Sequence, residues 1–133
     1  MLNIFPTMFL SLFANALLRL ILGGIFIYLG YRHLFRDRAA LQAVVRTHWP
    51  RIAPYIVRYL GLIEIAIGGM FFVGAWTQVA AVAAIVLSVK MLVLKKHFAH
   101  PSIPRPIFYI LVLGVSLSLF ITGAGVFAFD LPL

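Results

Sequence analysis

The chain has 133 residues, 64% of them hydrophobic and 11% charged, with a mean hydropathy of +1.10. Soluble domains keep their apolar share near about 45–50%, so an ordinary soluble enzyme is excluded and one compact membrane domain is expected. Eleven Lys and Arg against three acids give a formal charge of +8. Beside apolar spans this balance marks loops held on the cytoplasmic side, where anionic lipid attracts them, and not a nucleic-acid partner.

The first apolar run, Thr7 to Phe35, would be about 43 Å long as one helix at 1.5 Å per residue, more than a bilayer core of about 30 Å. Asn15 is a good N-cap, so a break there predicts a short interfacial segment followed by a first span over about 16–34. Arg32 to Ala53 carries Arg32, Arg36, Arg38, Arg46 and Arg51, with Leu41, Val44, Val45, His48 and Trp49 at helical spacing. That pattern predicts a basic amphipathic helix lying at the membrane surface.

Pro54 suits the first turn of a second span over 54–73, which Gly74 can end. Gly74 to Thr77 forms a tight connection with Thr77 as expected N-cap and Trp76 at interface depth. A third span covers 78–94 and stops at Lys95 and Lys96; Pro101, Pro104 and Pro106 break the helix before a fourth span over 107–129. The expected fold is therefore all-α: an integral membrane four-helix bundle in one domain, with the amphipathic interfacial helix between spans one and two. Spans one and two would pack as one hairpin against spans three and four.

The basic residues concentrate in segments 35–53 and 95–106, which the positive-inside rule makes cytoplasmic loops of an inner (plasma) membrane protein with both termini outside. Met1 to Phe13 lacks a basic n-region and a small-residue cleavage site, so it is expected to be retained.

Ionisable groups in hydrocarbon cost at least about 2.5–3.5 kcal/mol near the centre, so each should face the bundle interior, a wet cavity or a partner charge. Arg19, Glu64 and Lys90 are the candidates in spans one, two and three. Glu64 is mid-span, with Gly61 and Gly68 on its face at i−3 and i+4. Arg19 shares a stripe with Gly23, Phe26, Gly30 and His33. Two glycine-flanked stripes of opposite charge invite an Arg19–Glu64 pair; the plainer alternative is that Arg19 and Lys90 snorkel to the interface.

His33, His48, His97 and His100 read as interfacial or solvated, because no paired geometry for metal or haem is specified. The absence of cysteine removes disulfides, thiolate chemistry, Cys-ligated clusters and covalent haem, so no metal and no intrinsic cofactor is expected. Gly114, Ser118 and Gly125 form a small-residue seam on span four, suited to close packing or to a homo-oligomer.

Three sets of residues together resemble the DoxX family. They are Arg19-Leu20-Ile21-Leu22-Gly23 leading to Gly30; Gly61-Leu62-Ile63-Glu64 followed by Gly68-Gly69, Gly74 and the Trp76-Thr77 turn; and Thr122-Gly123-Ala124-Gly125 with Phe127, Phe129 and Asp130. The resemblance covers nearly the whole chain. It implies a four-helix inner-membrane protein in which Arg19, Glu64 and Asp130 matter; some relatives are similar to the membrane subunit of a thiosulfate:quinone oxidoreductase, and others are associated with redox and oxidative-stress partners.

The leading expectation is a redox-associated accessory subunit, at most a quinone-binding part of an oxidoreductase. Glu64 and Arg19 would handle the proton or carbonyl oxygen of a quinone or similar apolar ligand, with Gly23, Gly61, Gly68, Lys90 and Asp130 around it. Arg36, Arg38 and Arg46 would dock a redox protein partner on the cytoplasmic side. The rival expectations are a small proton-coupled or anion transporter, in which Glu64 titrates, and a structural membrane anchor.

Overall fold

The computed structural model describes residues 4–95, 101 and 103–122, and side chains from residue 10 onward. Every regular element in it is helical: α1 (Ile4–Tyr31), a π-helical turn (Arg32–Arg36), α2 (Arg38–Arg46), α3 (Ala53–Val73), α4 (Thr77–Leu94) and α5 (Pro106–Thr122). Three stretches, Leu10–Arg36, Ala53–Val73 and Thr77–Leu94, are long and apolar enough to cross a membrane; α5 is equally apolar and shorter over the residues described. The protein is a multi-pass helical bundle with its outer faces dressed in exposed Leu, Ile, Val and Phe, as lipid requires.

α1 packs chiefly on α3 and α4 on α5, so the two hairpins expected from the sequence are present. At the α1–α3 crossing the two backbones come into contact. A Cβ on Gly68 would sit 2.7 Å from the Gly23 carbonyl oxygen, and one on Gly30 would sit 2.7 Å from that of Gly61. Gly23 and Gly30 are seven residues apart, as are Gly61 and Gly68, so two glycines on each helix meet two on the other in antiparallel register. Lipid gives helices no hydrophobic reason to associate, so this close approach of small residues supplies the attraction.

Asn15 does not break the first span. α1 runs through it as one helix, because the leucines, phenylalanines and alanines around it favour helix and a single interior Asn costs at most about 0.7 kcal/mol. The helix instead changes character at Arg32. There the Asp37 N–H donates to the Arg32 carbonyl at 2.8 Å, an i+5 bond, and the Arg32 guanidinium closes the same turn on the Asp37 carboxylate at 2.7 Å.

The chain then folds back. α2 buries Leu41 and packs Val44 and Val45 against the core, with Arg46 exposed. The amphipathic helix thus lies against α3.

The α3–α4 connection follows the expected turn with one difference. Gly74 ends α3 in the left-handed region (φ 70°), its N–H bonding to the Met70 carbonyl. Trp76, also left-handed (φ 56°), holds the N-cap position, and Thr77 is the first helical residue, fully buried. At the other end the Lys95 ammonium bonds to the Pro104 carbonyl, tying the end of α4 to the start of α5.

Bulk at the crossing glycines should be costly. Gly30→Leu and Gly68→Leu are expected to destabilise the bundle by about 1–3 kcal/mol or prevent its assembly, whereas Gly114→Ala, whose Cβ meets nothing within 4 Å, should be neutral or slightly stabilising. Denaturant unfolding in micelles compares the three.

Candidate functional site

The carboxylate of Glu64 is 1% exposed and is met by a histidine: His33 Nδ1 lies 2.6 Å from Glu64 Oε2. His33 is itself fully buried, at the second position of the π-helical turn. The glycine register explains the meeting. Gly30 lies against Gly61 and Ile65, so Glu64 stands within that contact and His33 about one turn beyond it. Side chains on a helix tilt toward its N-terminus, so on two antiparallel helices these two lean toward each other.

The same register removes the Arg19–Glu64 pairing. Gly23 packs on Gly68 and Phe72, so Arg19, one turn earlier, stands near the end of α3, roughly 12 Å or more along the axis from Glu64 at 1.5 Å per residue. Arg19 does not snorkel either; it is 2% exposed, buried at the opposite end of the bundle from His33. Histidine 33, expected at the interface with its relatives, is the one that the structure moves inside. His48 is exposed, and His97 and His100 lie outside the described residues.

A cavity of about 300 Å³ opens beside the pair, between α2, α3, α4 and the start of the α5 segment. Its wall is largely apolar, built from residues such as Leu41, Val44, Ile63 and Leu87, with Trp49, Lys90 and Lys95 among its members. His33 also lines it, and the second ring nitrogen of His33, Nε2, has no hydrogen-bond partner among the described residues. One imidazole therefore joins a buried carboxylate to an apolar chamber. Both basic segments, α2 with its flanks and the Lys95 end of α4, lie at this end of the molecule.

Lys90 is exposed and faces the cavity. Gly23, Gly61 and Gly68 are taken up by the α1–α3 contact, with the opposing backbone where a ligand would need to be. Arg36 and Arg46 are exposed and Arg38 half-buried, and Asp130 lies outside the described residues. The Gly114 and Ser118 part of the seam faces outward. Three groups had no place in the sequence-based site: Tyr109 of α5, whose buried hydroxyl has no hydrogen-bond partner among the described residues and is within electrostatic reach of Glu64; Ser116, whose buried hydroxyl likewise has none among them; and Arg58, a further cation on the exposed face of α3. Among the described residues no cluster of His, Cys, Asp and Glu is suited to a metal ion.

These features define a small multi-pass helical membrane protein with a buried acid–base pair at the wall of an apolar cavity. The chain matches the family model of the methylamine utilisation protein MauE over residues 9–99, and it belongs to that family. The match covers α1 to α4 and so includes His33 and Glu64. It is to MauE and not to DoxX: glycines with one arginine and one glutamate in apolar sequence are what close helix contacts around a buried charge require, whichever family carries them. Among curated proteins and solved structures, nothing matches.

Removing one member of the pair should be worse than removing both. His33→Leu strands a buried carboxylate and is expected to cost about 3–5 kcal/mol, while His33→Leu with Glu64→Leu should recover most of that loss. A double-mutant cycle of unfolding free energies in micelles reads the difference; equal losses would place the pair outside the folding energetics.

Proposed function

We propose that this MauE-family protein is a redox-associated accessory subunit of a methylamine utilisation system, which binds a quinone or similar apolar ligand in the cavity beside His33. The supporting observation is a single residue in two environments: His33 Nδ1 is held by buried Glu64, while Nε2 has no hydrogen-bond partner among the described residues and the residue lines an apolar chamber. Ligand sites have this composition, mostly apolar with one or two convergent polar groups, and run upward from about 300 Å³. Glu64 orients the imidazole and shares its proton, and Lys90 offers a cation at the chamber wall. Arg19, at the far end of the bundle, has no part in this site.

In this reading the basic end of the bundle faces the cytoplasm across the inner (plasma) membrane, both termini lie outside, and Arg36, Arg38 and Arg46 dock an electron-donating partner. The chain has no cysteine, and in this reading it positions a ligand for a partner. A second reading, proton-coupled transport, draws on the same buried acid–base pair, because paired ionisable groups within a bundle mark proton relays.

The test is to fill the chamber. Val44→Trp puts an indole into its wall, and gentle extraction with native mass spectrometry should find an apolar quinone-sized ligand on the wild type and about tenfold less on the variant, the loss of roughly one well-made contact's worth of affinity. A ligand retained in full by Val44→Trp would move the site elsewhere. Proton flux in reconstituted vesicles that depends on Glu64, with no ligand recovered, would favour transport.

A further inference from the structure

We infer that the His33–Glu64 pair presents a hydrogen-bond donor to the cavity, so that the site selects apolar ligands bearing a carbonyl-type acceptor over matched ligands bearing hydroxyls or no polar group. This rests on the cavity being a ligand site, as proposed above, and adds the polarity of its one polar contact.

The argument is a count of protons. Across the 2.6 Å contact a single proton is shared by His33 Nδ1 and Glu64 Oε2. If Nε2 carried no proton, the pair would be a carboxylate and a neutral imidazole, with a net charge of −1. If Nε2 carries one, the pair is either imidazolium with carboxylate or neutral imidazole with carboxylic acid, and in both cases the net charge is zero. These two neutral forms differ only by the position of the shared proton, and both place an N–H at Nε2. Burying a net charge costs several kcal/mol unless a counter-ion is buried with it.

Among the described residues no third charged group is ion-paired with these two. Lys90 on α4 is exposed at the wall of the cavity, with no ion pair to either member; the Lys95 ammonium is engaged by the Pro104 carbonyl. On α5 the nearest titratable group is the Tyr109 phenol, itself neutral when protonated. On α1, Arg19 is buried at the other end. The neutral pair is therefore the resident form, and Nε2–H is its free donor.

The ligand chemistry follows. A carbonyl oxygen accepts from Nε2–H and brings no donor of its own into the chamber. A hydroxyl can accept the same bond but buries an O–H among apolar side chains, and a hydrocarbon leaves Nε2–H unmet; either orphaned group carries a desolvation penalty. The oxidised, carbonyl form of a quinone-like ligand is thus held in preference to its reduced diol.

The wild-type protein in lipid nanodiscs, with empty nanodiscs as the partition control, is titrated anaerobically with three molecules of one shape: 2,3-dimethyl-1,4-naphthoquinone, its 1,4-diol and 2,3-dimethylnaphthalene. The quinone is expected to bind about tenfold or more tightly than either of the others. In the His33→Leu/Glu64→Leu variant the three should converge to within about twofold, since both polar partners are gone and an apolar wall remains. A diol that binds as tightly as the quinone, or three equal affinities in the wild type, would overturn the inference and leave the cavity reading intact. Failure of all three probes to bind would remove the cavity reading and the inference together. The wild-type ranking needs no variant to fold.

Discussion

The polar interior of this bundle is placed by the backbone contact of α1 with α3. Where Gly23 and Gly30 meet Gly68 and Gly61, the two helices cannot slide or rotate without forcing a side chain into a carbonyl. A shift of one residue turns a helix by about 100°, which would carry His33 or Glu64 out of the interior and into lipid. With the glycines in register, the two residues that lie three positions beyond Gly30 and Gly61 lean across the gap and meet. Helix association and charge burial are thus one event: the close approach attracts the helices in a solvent that offers no hydrophobic drive, and it neutralises the carboxylate that would otherwise oppose insertion.

The π-helical turn gives the pair access to the rest of the molecule. A regular helix through Arg36 would have continued α1 along its own axis. The extra residue in the turn, fastened by the Arg32–Asp37 ion pair and its i+5 backbone bond, ends the span and returns the chain so that α2 covers α3. The amphipathic helix therefore spends part of its apolar face on the protein, through Leu41, Val44 and Val45, and those side chains become a wall of the cavity. His33 belongs to both structures, as a π-turn residue packed in the bundle and as part of that wall.

Much of this was legible in the residues. The all-helical architecture, the hairpin pairing, the basic amphipathic insert and the burial of Glu64 follow from composition, periodicity and the cost of a mid-span charge. The stripe Arg19, Gly23, Phe26, Gly30, His33 even placed the histidine on the correct face. What the sequence alone could not supply was register. An arginine attracts a glutamate by charge, so Arg19 looked like its partner; had Gly30 been set against Gly61 through their common seven-residue spacing, the N-terminal lean of both side chains would have brought His33 toward Glu64 and kept Arg19 apart. The cavity was out of reach for a different reason: it depends on where α2 returns, and a five-residue π turn leaves no periodic signal.

A buried ion pair is a poor way to stabilise a bundle, since apolar side chains of similar volume generally serve as well or better. Leu and Ile were available at both positions in a chain this hydrophobic. Glu64 alone would be a liability, and His33 alone would need no carboxylate, so the two are intelligible only together. Their combination does one thing that a packed core cannot: it fixes an imidazole that lines an apolar cavity, with one nitrogen spoken for and the other without a hydrogen-bond partner among the described residues. In a small membrane protein without cysteine, whose described residues hold no metal-binding cluster, that second nitrogen is the feature of the site with the most chemistry to contribute. The glycines that bring the helices close enough to create it are, in that sense, as much a part of the site as the pair itself.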